Sequence, residues 1–353
     1  MKKRFLALVL ALGIFLCGCQ VTITFNPTPY PTFPTLPAEA ETLTVHYIDV
    51  GQADCILLEC NDKFMLIDGG NRDDSRLVIA DLQQQGVEEL EAVVCTHAHE
   101  DHVGGLPGVL AVFPAKAVYA PTKTYASKIF DDFLRYVDQQ GLDITIPSPG
   151  DTFSLDETEL TVLGPVKTYA EPNDTSIIIT ARFGETRFLF TGDMEVAAET
   201  DMLNYWGDDF DWKMDVLKAG HHGSDTSSGY RFIYETDPEY VIIPVGDNNT
   251  YGHPSKSVMS RFTDAGIPTL RTDELGHILV TTDGDTISIT WQDQSAIPSG
   301  VPVGYTTYIG NKTSKKFHAP GCPNLPGESN RVEFTSYDEA IAAGYVPCGS
   351  CMG

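Results

Sequence analysis

From residue 43 onward the apolar positions fall in short runs, most of which end at glycine or at a carboxylate. Leu43 to Val50 and Ala53 to Leu58 are strand patterns flanking a turn at Gly51. Phe64 to Ile67 predicts a third strand, ending at Asp68-Gly69-Gly70. Asp74 to Gln85 alternates in a helical sense. Ala92-Val93-Val94-Cys95 is apolar throughout and reads as a buried strand. Val109 to Phe113 ends a short helix, and Lys128 to Gln140 predicts a longer one. Strand patterns return at Leu160–Leu163, Ser176–Phe183 and Arg187–Phe190. Two β-rich halves with interspersed helices predict a layered α/β architecture. No internal repeat is visible, although the halves alternate in a similar way.

The first residues follow a different pattern. Lys2, Lys3 and Arg4 precede the apolar run Phe5–Leu16, which is short for a membrane span and has the flanks of a secretion signal. Leu16-Cys17-Gly18-Cys19 resembles a bacterial lipoprotein cleavage box with Cys19 as the lipidated residue. Residues 20–41 are rich in proline and threonine and predict an extended spacer. The expected order is a signal peptide (1–19), the spacer (20–41), a main domain (42–292), a linker (293–304) and a small module (305–353). The folded part is expected at the outer face of the cell membrane, lipid-anchored, or secreted.

The formal charge of −26 changes what partners are plausible. Such a surface repels polyanions at long range and argues against broad basic-groove binding of nucleic acid. It leaves room for a nuclease whose metal ions grip the scissile phosphate.

Metal-binding chemistry concentrates in Thr96-His97-Ala98-His99-Glu100-Asp101-His102, directly after the buried run and before Gly104-Gly105. Imidazoles and carboxylates are donors for zinc, manganese or iron. His97 and His99 can point the same way, while Asp101 and His102 on the turn can face a second ion. Phe188-Leu189-Phe190-Thr191-Gly192-Asp193 ends an apolar strand at a carboxylate placed to bridge two ions. Asp215 to Ser224 repeats the order of strand, turn and donors, with His221 and His222 adjacent. Asp49 and Asp68 end strands and can either orient ligand histidines as acceptors or cap turns. His253, in a Gly-His-Pro turn, is a candidate phosphate contact or proton donor, and Asp101 is the other candidate catalytic residue. His46 and His277 lie within strand patterns and read as structural.

His-x-His-x-Asp-His after a strand resembles the signature of the metallo-β-lactamase superfamily. The resemblance implies a four-layer αβ/βα sandwich, a two-metal site and metal-assisted hydrolysis. It marks Asp193 as the bridging aspartate and favours His221 over His222 as the ligand. The superfamily commonly has a further histidine before that aspartate, but none occurs between residues 103 and 220. Asn173 and Asp174 stand at the matching place; oxygen from one of them, or from a water, shifts preference toward manganese or magnesium, with zinc still open. The segments Val45–Asp54, Asn173–Ser176, Leu217–Ser224 and Tyr251–Pro254 together resemble the hydrolase domain of ComEC-type competence proteins. That likeness implies a metal-dependent phosphodiesterase, foremost a DNA nuclease. The alternatives are a phosphodiesterase on a choline phosphodiester or cyclic dinucleotide, and a non-catalytic surface binding protein.

In the tail, His318-x3-Cys322 and Cys348-x2-Cys351 supply four soft donors, as in a closed zinc site. The segment is similar to the metal-binding domain of Ada-type DNA repair proteins. The expected complement is two divalent ions (zinc or manganese) in the main domain and one zinc in the tail. DNA is the expected substrate, and Cys95 a buried apolar side chain.

Overall fold

A computed structural model describes residues 33–37, 40–292, 307–318, 322, 324–335 and 337–348. Cys19, the secretion signal, most of the spacer, the linker and Cys351 lie outside them.

The first sheet contains β1 (Leu43–Tyr47), β2 (Ile56–Cys60), β3 (Lys63–Ile67), β4 (Ala92–Val94), β5 (Val118–Tyr119) and β6 (Ile144–Thr145). The second contains β7 (Thr152–Leu155), β8 (Thr158–Gly164), β9 (Ile178–Phe183), β10 (Thr186–Phe190), β11 (Val216–Lys218), β12 (Tyr240–Ile243) and β13 (Thr269–Arg271). The chain then returns to the first sheet as β14 (His277–Thr282) and β15 (Ile287–Gln292), with β14 antiparallel to β1. Each sheet is antiparallel on one side and parallel on the other. In the first, β1, β2 and β3 alternate direction and β3 to β6 run parallel. In the second, β7 to β10 alternate and β10 to β13 run parallel. The similar alternation of the two halves in sequence corresponds to this repeated sheet plan.

The central strands of both sheets are covered on both faces, which is why they are nearly continuous apolar runs. On β2, Leu57 joins the core formed with the helices α1 (Ser75–Gln84), α2 (Glu100–Val103), α3 (Leu106–Val112) and α4 (Lys128–Gln139). On β10, Leu189 joins the core formed with α5 (Val196–Trp206), α6 (Tyr230–Thr236) and α7 (Lys256–Asp264). Between the sheets, Tyr47 meets Phe190 with ring centroids 6.4 Å apart. Helices outside and sheets inside give the four-layer sandwich.

The tail forms its own four-stranded sheet: β16 (Tyr308–Asn311), β17 (Lys316–His318), β18 (Arg331–Phe334) and β19 (Val346–Pro347), in the order β18-β16-β17-β19. Among the described residues no helix is long and apolar enough to cross a membrane.

Candidate metal centre

Most candidate donors of the main domain lie just past a strand. Asp68 follows β3, His97 follows β4, Asp193 follows β10, and His221 and His222 follow β11. These four are among the parallel strands of the two sheets, so their C-terminal ends converge, as in other α/β proteins. Asp68, His221 and His222 have left-handed backbone (φ 59°, 47° and 51°). Non-glycine residues rarely adopt it, and such strain collects at functional sites.

Asp193 is the centre. Its carboxylate oxygens lie 3.2 Å from His102 Nε2, 3.6 Å from His222 Nε2, 3.8 Å from His221 Nε2 and 3.9 Å from His97 Nε2. Asp101, His102, Asp193 and His222 each offer one ligand atom within 4.8 Å of the others. His97 Nε2 and His99 Nδ1 converge at 3.1 Å beside them. Donors gather, therefore, in two adjacent sets that share Asp193.

Several side chains fix these rings. His102 Nδ1 donates to Asp68 at 2.7 Å, and Asp68 also accepts from the backbone N–H and hydroxyl of Thr96. This leaves His102 Nε2 to face Asp193, and Asp68 takes the orienting role. His222 Nδ1 donates to the Pro244 carbonyl at 3.0 Å, which leaves its Nε2 facing Asp101 and Asp193. His102 Nε2, His222 Nε2 and Asp193 Oδ1 are buried and make no hydrogen bond. Buried polar atoms are otherwise nearly always paired. Orphaned nitrogen and oxygen atoms aimed at one another fit a divalent cation.

The charges agree. Burial opposes a charge on His102, but Asp193, Asp68 and Asp101 outweigh it and hold its imidazole well above the usual range. Burial likewise opposes a charge on His222, yet Asp193 and Asp54 push it up to about 10. Asp193 is held well below the carboxylate range by His102 and His222 despite its burial. Protons here occupy the places of cations. His97 is the exception: burial and neighbouring His102 depress it, keeping it neutral.

The preference between the adjacent histidines reverses. His222 is buried and enters the donor cluster. His221 sits at the rim with its side chain 24% exposed, its Nδ1 3.2 Å from Glu195. Asn173 Nδ2 lies 3.4 Å from the His221 ring, with its own Oδ1 buried and unbonded. Asp174 turns away from the donors and accepts from the Glu195 backbone, holding the turn after Asp193. Asp49 caps the turn at Gly51 and is not brought among the donors, so its turn-capping alternative is the one observed. His253 stands at the rim, its ring 5.4 Å from that of His221.

Two residues were missed or underrated. Lys218 is fully buried, donates to the Gly192 carbonyl at 2.7 Å, and ion-pairs with Asp54. Asp54 is buried as well, 3.4 Å from His222 Nδ1. A lone lysine inside the apolar run of β11 was the available signal.

Residues 48–247 match the profile of the metallo-beta-lactamase superfamily. The chain belongs to that superfamily. It is a metal-dependent hydrolase, and its sandwich is the family's fold. Residues 305–352 match the metal binding domain of Ada, where His318, Cys322 and Cys348 are buried with ligand atoms within 4.8 Å of one another. The chain is similar to "ComE operon protein 3" of Bacillus subtilis, 29% identical over 78% of this chain and 36% of that protein. It is also similar to "Recombination protein 2" of Haemophilus influenzae, 30% identical over 74% of this chain and 30% of that protein. It therefore spans about a third of the length of these relatives. Among solved structures, the metallo-beta-lactamase fold protein YhfI of Bacillus subtilis superposes with a TM-score of 0.46 at 13% identity, covering 69% of this chain and all of that one.

Proposed function

We propose that this hydrolase is a phosphodiesterase that cleaves DNA outside the cytoplasm, held to the membrane by a lipid on Cys19. The observation that carries the reading is the convergence of the unbonded, buried atoms His102 Nε2, His222 Nε2 and Asp193 Oδ1, with His97 and His99 beside them. His97, His99 and Asp193 would hold one divalent ion, and Asp101, His102, Asp193 and His222 the other, with manganese or zinc suited to the mixed donors. Ions bound in such a site supply an activated water and stabilise the charge of in-line displacement at phosphorus.

The chain's own residues do the rest. Asp68 and Pro244 fix the ring orientations of His102 and His222. Asp101, with its side chain 31% exposed, lies between the buried donors and solvent. His253, its ring 5.4 Å from that of His221 at the rim, would contact a phosphate oxygen or protonate the leaving oxygen. Likeness to proteins named for competence and recombination supports DNA over other diesters.

The test is to purify the full chain, measure bound metals, and assay plasmid, linear DNA, RNA and an aryl phosphodiester with Mn, Mg and Zn. DNA cleavage is expected, falling at least a thousandfold in Asp193→Ala. Unchanged turnover in that variant would remove the mechanism, and activity on the aryl diester alone would favour a substrate other than nucleic acid. Cys19→Ala should release the protein from the membrane fraction; retention would refute the anchor.

A further inference from the structure

Three aromatic rings lead outward from the metal centre to solvent. His221, whose Nε2 is 3.8 Å from Asp193, meets His253 edge-on at 5.4 Å. His253 in turn stacks with Tyr251, centroids 5.7 Å apart and planes within 25°. Tyr251 is 73% exposed. The loop that carries these rings is pinned. Asn249 accepts from the backbone N–H of His253 and donates to the carbonyls of His253 and Gly246. Gln52 reaches across from the other half of the domain, 3.4 Å from His253 Nδ1 and accepting from the Gly246 backbone.

Stacked on a histidine whose loop is pinned, the exposed Tyr251 ring presents a flat apolar face to solvent. It lies two ring contacts out from His221 at the rim of the metal centre, so a base resting on it would belong to a nucleotide beside the scissile phosphate. With a net charge of −26 the chain lacks the long-range attraction that usually holds nucleic acid. Stacking of bases on aromatic side chains does not depend on charge and tolerates any base.

We propose that Tyr251 is the stacking platform for the unpaired base next to the scissile phosphodiester, so that the enzyme acts on single-stranded or frayed strands. This rests on the phosphodiesterase reading and adds a base-binding subsite to it. A duplex keeps its bases stacked on one another and cannot offer one to the ring without fraying.

The experiment uses short single-stranded oligonucleotides and an aryl phosphodiester with the metal-loaded full chain. Tyr251→Ala should raise the oligonucleotide KM about tenfold, and lower the ratio of oligonucleotide to aryl-diester kcat/KM by a similar factor. Tyr251→Trp should restore the KM. Replacing the base beside the cut by an abasic residue should cost wild type the same factor and cost Tyr251→Ala nothing more, because ring and base are one interaction. Equal losses on both substrates, additive losses of ring and base, or a wild type that prefers intact duplex would each overturn the platform. If wild type cleaves single strands and Tyr251→Ala does so equally well, the platform alone falls. If wild type cleaves no polynucleotide, the DNA reading falls with it.

Discussion

A lysine with no exposed surface, such as Lys218, must be paired to exist. Its partner, Asp54, is buried as well. Lys218 Nζ is also 3.7 Å from Asp193 Oδ1, so it offsets negative charge behind the donor cluster. Lys218→Met should strip the buried Asp54 of its ion-pair partner and cost about 3–5 kcal/mol in denaturant unfolding. The double change Lys218→Met with Asp54→Leu should recover part of that loss, since removing both charges removes the penalty. A single substitution costing less than about 1 kcal/mol would show the pair to be dispensable. At this scale the sequence was informative wherever a donor ends its own strand, as with His97, His99, Asp101, His102 and Asp193. It marked Lys218 only as a lone lysine in an apolar run and Asp54 only weakly, because the two stand 164 positions apart in chain numbering and pair only when the sheets meet.

Elements were legible in proportion to their length and locality. The predicted helices at 74–85 and 128–140 correspond to α1 and α4, which carry enough turns to show their apolar face. α6 and α7 have seven and nine residues, too few for a periodicity to stand out. The antiparallel pairing of β14 with β1 joins residues from opposite ends of the main domain, which no local pattern reveals. That junction contains His277, buried at the start of β14, whose Nδ1 accepts the Asp49 backbone N–H at 3.2 Å. Burial, helped by neighbouring His46, depresses its imidazole to about 4. The unfolded chain binds this proton near pH 6.5 and the folded chain only near 4. The stability this neutral ring contributes is therefore complete above pH 6.5 and is lost as pH falls toward 4. Thermal unfolding of His277→Gln between pH 4 and 7 should show an acid limb shallower than wild type, by about 2–3 kcal/mol across the window. Parallel curves for the two proteins would exclude the buried ring as the cause.

Across the whole molecule, one carboxylate ties three parts together. Asp132 on α4 is 5% exposed and lies 3.1 Å from Arg72 Nη2, 3.2 Å from Arg135 Nη2 and 3.5 Å from Arg331 Nη1. Arg72 belongs to the turn packed on Gly104, where a Cβ would meet the Arg72 backbone nitrogen at 2.4 Å, so it borders the metal loop. Arg331 begins β18 of the tail module. The apolar cores join too, with Tyr308, Ile309 and Phe317 continuous with the cluster under α4. The tail module is thus seated on the hydrolase domain, on the side of α4 and the metal loop. In an acidic chain, guanidinium groups around a buried carboxylate form such a seat at little entropic cost, because Arg presents a planar, preorganised fork. Asp132→Asn and Arg331→Gln should then be non-additive, with a coupling of about 0.5–3 kcal/mol in a double-mutant cycle read by thermal unfolding of the main domain. A coupling of zero would mean that Arg331 and Asp132 act independently. The seating would then rest on the apolar contacts alone, and loss of the tail's metal through Cys348→Ser would reach the hydrolase domain only by that route.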